Sequence, residues 1–398
     1  MIPYTKISGA NAMYMFKLNH KQYYFFGDMN YSRRKNDCES EVQCDDFDYS
    51  YNNINKYGKG CISIGALLYL WFLYNNKNNI LTDFYLESSF TKENERTALK
   101  IGYDLMNKRK LLKDYDPSLI DHQFDVVSWM TLFEFLLEPC FIREKTNCPF
   151  YPNVHLHYAD IRFIDGQNPI DIDPFVLHDI QKYYKTHPDI NIKDFKNLVY
   201  ILIYQSELIF KMLLTKKNFD HYLTKLINLS SFFHEPMKTL YINKIKNIEE
   251  MSVIRDDVKM HRVAAELLKL KNDDRLSSKI KSFILAEAEH QRNRLKIIYE
   301  DIQEDEDTDD EDDIQEISYY KELLLPMAAL SMDAYILARM FSQQGKEVIV
   351  YAGSHHIATY VKFFKTLKSK IIIESPSVPN NCCLNIKLPK NLQLKIET

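Results

Sequence analysis

The hydrophobic pattern along the chain switches repeatedly between short apolar runs that stop abruptly and longer stretches with helical spacing. Gln22–Phe26 (QYYFF) is an aromatic run that ends at Gly27-Asp28, which predicts a strand. Residues 31–60 are polar, acidic and Tyr-rich, without periodicity and too long for an ordinary connection. Cys61–Tyr74 is apolar on every side and predicts a buried helix, and Ile80–Leu86 (ILTDFYL) predicts a second strand that stops at Glu87. Strand, loop, helix and strand in this order make a parallel crossover unit.

Beyond it, helical patterning over 111–137 leads to a third strand, Val154–Ile161 (VHLHYADI). From 174 to about 303 apolar residues recur every three or four positions, as in FKNLVYILIYQSELIFKMLL, so this block reads as helices. Tyr319–Phe341 is another helix pattern, Glu347–Tyr351 (EVIVY) a β-branched strand, 355–367 a helix, and Lys370–Glu374 (KIIIE) a last strand. The expected fold is therefore α/β: a mostly parallel central sheet built from both chain ends, with a large all-helical insertion. The expected divisions are 1–175 and 317–398 for the α/β domain, 176–303 for the insertion, and 304–316 for an acidic linker.

Composition narrows the classes. A chain of 398 residues with 45% hydrophobic and 27% charged positions is not wholesale disordered. The net charge is −4, yet residues 304–313 (EDEDTDDEDD) carry nine acidic groups, so the rest stands at −4 + 9 = +5. Such a run predicts a solvated tether. Basic residues are dispersed, which gives nucleic-acid binding little support. Seven cysteines in a long chain that begins without a signal-peptide pattern argue against a disulfide scaffold and for the cytoplasm. Cys38 and Cys44 have no Cys-x-x-Cys partner, so a structural zinc site is not expected. The most apolar stretch, 62–74, has 13 residues against the about 20 that a membrane span needs. Neither a phosphate-binding glycine loop nor a Gly-x-Ser-x-Gly elbow occurs.

Candidate chemistry collects where apolar runs turn polar, since open α/β sheets place their working residues at the carboxyl ends of parallel strands. QYYFF ends in Gly27-Asp28-Met29-Asn30, DFYL in Glu87-Ser88-Ser89, VHLHYA in Asp160-Ile161-Arg162, and EVIVYA in Gly353-Ser354-His355-His356. Asp28 reads equally well as the cap of a following helix; Glu87 reads as a site residue by its place at a strand end, with a surface carboxylate as the alternative. Adjacent His355 and His356 point about 100° apart on a helix, so at most one faces a crevice. His155 and His157 share one face of a strand, a spacing that suits two metal ligands or a half-buried imidazole pair.

The order of these motifs resembles the TraB/Tiki and erythromycin-esterase/ChaN-like superfamily. Its signature is a Gly-x-x-His after an early strand, a glutamate closing a later strand, and a second Gly-x-x-His near the C-terminus. Gly353-Ser354-His355-His356 fits the second motif and Glu87 the glutamate, whereas Asn30 stands where the first motif has histidine. The wider phrasing (FFGDMNYS, LESS, HYADIR, VYAGSHHI) resembles an uncharacterised branch from large DNA viruses, which implies a host cytoplasm or a virion. The resemblance implies a hydrolase of peptide or ester bonds, with Glu87, His356, Arg162 and Asp160 as its catalytic set. Asp28, Glu87 and His356 would hold a divalent metal, Mn²⁺ or Zn²⁺, or Glu87 and His356 would act on water as a base pair, and Arg162 would stabilise the oxyanion. The missing first histidine leaves a second expectation open: an inactive pseudoenzyme that binds a ligand, or a host or viral protein partner, the latter through its helical insertion or acidic linker.

Overall fold

A computed structural model describes residues 6–28, 61–87, 151–158, 219–232, 235, 238–239, 242, 266–267, 269–270, 274–304, 329–330, 332–376 and 383–385. The chain divides into two compact units, Met1–Asp160 with Gln343–Thr398, and Ile161–Ser342.

The first unit holds the sheets. Its elements in chain order are β1 (Lys6–Ser8), β2 (Ala12–Leu18), β3 (Lys21–Asp28), β4 (Cys61–Ser63), α1 (Ile64–Lys77), β5 (Thr82–Leu86) and β6 (Val154–Tyr158). After residue 342 come β7 (Glu347–Gly353), a helix Ser354–Thr366, β8 (Lys370–Ser375) and β9 (Cys383–Asn385). The main sheet has the order β6-β5-β7-β3-β2-β8. Strands β6, β5, β7 and β3 run parallel, while β2 and β8 pair antiparallel. The expected mostly parallel sheet is thus a mixed one. Strand β2 supplies the difference, since it reaches β3 through a two-residue turn in which Asn19 adopts the left-handed region (φ 55°), a conformation Asn tolerates. A small second sheet has the order β4-β1-β9, so Cys61–Ser63 is strand and the helix predicted from Cys61 begins at Ile64.

Period-two alternation explains why QYYFF is aromatic without interruption: both faces of β3 are covered. Tyr24 and Phe26 meet Trp71 of α1, with ring centroids 4.4 and 6.5 Å apart. Tyr23 and Phe25 meet Phe364 of the C-terminal helix at 4.7 and 5.1 Å, and Phe16 of β2 joins them. All these rings are buried. Edge-on pairs of this kind each contribute about 0.5–1.5 kcal/mol beyond their buried area.

One buried carboxylate ties α1 to the sheet. Glu347 Oε2 accepts from Trp71 Nε1 (2.8 Å) and from Asn75 Nδ2 (2.6 Å), and Asn75 Nδ2 also donates to Thr82 Oγ1 (2.7 Å). The last turn of α1 is thereby fastened to the amino ends of β7 and β5 together.

In the second unit, α2 (Phe219–Asn228), a 3₁₀ turn (Leu229–Phe232), α3 (Asp274–Glu304) and residues 332–342 are helical. Ile280, Ile284 and Ala288 form a buried stripe at four-residue spacing on α3. Buried Glu266 accepts from Arg339 Nη1 (3.2 Å), Ser342 Oγ (2.8 Å) and Lys269 Nζ (2.7 Å). The helices expected at 111–137 and through 174–218, and the acidic run beyond Glu304, lie outside the described residues. No described helix is long and apolar enough to cross a membrane.

The Glu347 network generates a stability prediction. Asn75→Leu keeps the volume but removes both donors, which leaves a buried carboxylate and a hydroxyl short of partners. Unfolding free energy from urea denaturation should fall by about 1–3 kcal/mol. No change would show that these bonds contribute nothing net.

Candidate functional site

The helix Ser354–Thr366, hereafter α4, starts directly after β7, and its first turn carries the chemistry at the carboxyl ends of the parallel strands. Gly353 is its N-cap residue, and no side chain of its own caps the helix. That place is taken by Glu87 from the neighbouring strand end, whose Oε2 accepts the Gly353 N–H at 2.6 Å. A capping-box glutamate does the same from position N3, which here is occupied by His356. His356 Nε2 lies 3.1 Å from Glu87 Oε1. Glu87 is held in turn by its own N–H, which donates to Tyr351 O (3.1 Å). A Cβ on residue 353 would stand 3.2 Å from Glu87 Oε2, so glycine permits the close approach. The pair is largely dry: the side chains of His356 and Glu87 are 6% and 10% exposed. His355 faces solvent, so His356 is the inward member of the two.

Asp28 closes β3 opposite Gly353 in the register. Its main-chain oxygen accepts from Ser354 Oγ (3.2 Å), a hydroxyl that also donates to Asn11 Oδ1 (2.6 Å). Its carboxylate Oδ2 sits 3.0 Å from the Tyr351 hydroxyl, which is 2.7 Å from Gly9 O as well. Burial first, then the Asp28 charge and hydrogen bond, push the Tyr351 phenol well above its ordinary range. Alternation along β3 places Asp28 on the side of Tyr24 and Phe26, whereas Glu87 follows Asp83 and Tyr85 on the other side. The structure therefore brings Glu87 and His356 into contact and seats the Asp28 carboxylate on Tyr351. Asn30, Asp160 and Arg162 lie outside the described residues. Among the described residues, no group of three or more His, Cys, Asp or Glu is gathered so as to hold a metal ion.

A second carboxylate–imidazole cluster lies toward the other end of β5. Asp83 Oδ1 meets His157 Nε2 at 3.1 Å and His155 Nδ1 at 3.3 Å, and Oδ2 accepts the Gly345 N–H at 2.8 Å. His157 stacks on Tyr85 with centroids 4.5 Å apart. A Cβ on residue 345 would fall 2.3 Å from Asp83 Oδ2, so only glycine lets the turn close here. Burial raises the Asp83 carboxyl, but the hydrogen bonds from both histidines, the charge of His157 and the Gly345 N–H together hold it well below the usual carboxylate range. The Asp83 carboxylate charge adds to the burial that pushes the Tyr23 phenol up, and opposes the lowering that burial imposes on Lys21. The histidine pair was legible as two imidazoles on one strand face. Asp83 was missed, although an aspartate inside the apolar run ILTDFYL was the available signal.

The fold and the two clusters define an α/β protein with a carboxylate–imidazole pair at the carboxyl end of its parallel strands. No family model, curated protein or solved structure matches the chain.

Asp83 gives a pH prediction. Its folded-state pKa is depressed, so the unfolded chain binds the proton first as pH falls. The stability it contributes is complete above its ordinary range, ~3.9, and is lost as pH drops through and below that value. Asp83→Asn should lower the urea midpoint at pH 7 and flatten the loss of stability between pH 5 and pH 3, about the window set by the shift. An equally steep acid limb in the variant would assign that limb to other carboxylates.

Proposed function

We infer that the chain is a hydrolase of peptide or ester bonds whose reacting centre is the Glu87–His356 pair. The observation that carries this reading is the 3.1 Å contact between two side chains delivered by different strand ends, where α/β sheets place their chemistry. Glu87 accepts a hydrogen bond from His356 Nε2–H and so fixes ring and tautomer; Nδ1 is then the atom that takes a proton from the attacking water. The first turn of α4 favours the negative charge on Glu87. The TraB/Tiki resemblance implies Asp160 and Arg162 as further members of the catalytic set, Arg162 for the developing oxyanion. In the metal-dependent form, Glu87 and His356 would hold Mn²⁺ or Zn²⁺, while the Asp28 carboxylate, expected as a third ligand, is turned to Tyr351 on the other side of the sheet. The ion would lower the pKa of its bound water.

A second reading has its own observation. Asp83 uses one oxygen on a glycine N–H and the other on imidazole, within a buried clamp, and Glu87 repeats that arrangement. Glu87–His356 is then a latch between β5 and α4, and the protein is an inactive member of its type that binds a ligand or partner. Asn30 in place of a histidine agrees with this.

The two readings separate in a panel of peptide and ester substrates, assayed with and without Mn²⁺ or Zn²⁺, alongside elemental analysis of the purified protein. In a hydrolase, Glu87→Gln and His356→Ala each lower turnover by about 10²-fold or more, and Asn30→His raises it. Wild-type protein that carries no metal, cleaves nothing and gains nothing from Asn30→His leaves the latch.

A further inference from the structure

Gly353 brings no capping side chain to α4, so the start of the helix is fixed from outside, by the two strands that flank β7. Successive helical residues turn by about 100°, which sets Ser354 at N1 and His356 at N3 about 200° apart around the axis. His356 is turned to the end of β5, where Glu87 meets its ring and accepts the Gly353 N–H. Ser354 is turned to the end of β3.

There its hydroxyl donates to Asn11 Oδ1 (2.6 Å) and lies 3.2 Å from Asp28 O. Asn11 belongs to the short connection between β1 and β2 and is buried. Its own N–H donates to Gly27 O at 2.9 Å, and two residues earlier Gly9 O accepts from the Tyr351 hydroxyl at 2.7 Å. The acceptor that Ser354 uses is therefore tied to β3 and to β7. Two anchors on nearly opposite sides of one helical turn remove its freedom to rotate. A rotation that carries the His356 ring off Glu87 also swings Ser354 off Asn11.

We propose that Asn11 is a positioning residue for the Glu87–His356 pair: through the Ser354 hydroxyl it sets the rotation of the first turn of α4, and so the place of the His356 ring against the carboxylate. The inference rests on the pair that the proposed function names, but it uses only the geometry of that pair and holds for hydrolase and latch alike.

The ring proton that Glu87 accepts supplies the test. In the intact chain carrying isotope-labelled histidine, the Nε2–H magnetic-resonance signal of His356 is the one that disappears in His356→Gln. Its exchange with solvent is then followed, with circular dichroism to confirm folding of each variant. The proton should be protected in wild type. Asn11→Ala and Ser354→Ala should each speed its exchange about tenfold, the scale of one hydrogen bond lost. The double variant should be no faster than either, because both changes remove the same bond. Asn75→Leu, which loosens the last turn of α1, should leave the exchange as it is. Unchanged exchange in folded Asn11→Ala, additive acceleration in the double variant, or equal acceleration by Asn75→Leu overturns the proposal. So does a wild-type proton that exchanges freely, since no pair is then held. The expected variant effects in a protein that cleaves neither peptide nor ester uphold Asn11 and remove only the hydrolase.

Discussion

The parallel pairing of β3 with β7 is the contact on which the rest of the first unit depends. It joins residues 22–28 to residues 347–353, segments more than 300 positions apart in the chain, as the Tyr351–Asp28 bond illustrates with its separation of 323. Closing so long a loop costs only slowly more entropy with length, and the aromatic burial on both faces offsets it. Tyr24 and Phe26 lock onto α1 while Tyr23 and Phe25 lock onto α4. Once β7 is seated there, its other edge is the template for β5, and β5 for β6.

The second constraint is electrostatic and belongs to β5. Asp83 and Glu87 lie on one face of this strand and its extension, and each accepts an N–H from a glycine flanking or ending β7: Gly345 before it, Gly353 at its end. Each also meets imidazole, His157 with His155 in the first case and His356 in the second. Buried carboxylates are tolerated only when such donors replace lost hydration. The two clamps therefore set where β7 begins and where α4 starts. The one at the carboxyl end is distinguished by its place in the sheet, beside the first turn of a helix, which is where the fold can present chemistry to a ligand.

Much of the architecture was legible because it is local. Abrupt polar stops after QYYFF, DFYL and EVIVY mark real strand ends, and the helix expected over 355–367 is found one residue earlier. Glu87 and His356 were legible as site candidates from the same stops. Strand β2 was not: AMYMFKL is apolar with no clear period, its hairpin turn is Asn-His rather than the stronger Asn-Gly signal, and it becomes a strand because β3 and β8 flank it.

The sequence by itself determined which segments are strand or helix and which side chains share a face, because periodicity of two or 3.6 residues is a property of the local backbone. Only the tertiary structure decided the order of the strands, the reversed sense of β2 between β3 and β8, the union of Asp83 with two histidines from β6, and the turning of Asp28 to Tyr351 while Glu87 took His356. Those outcomes depend on which edge of which strand is free to pair and on which face a neighbouring helix covers. A linear pattern carries neither, since contacts between distant segments are selected by the packing of the whole unit rather than by any residue's own neighbours.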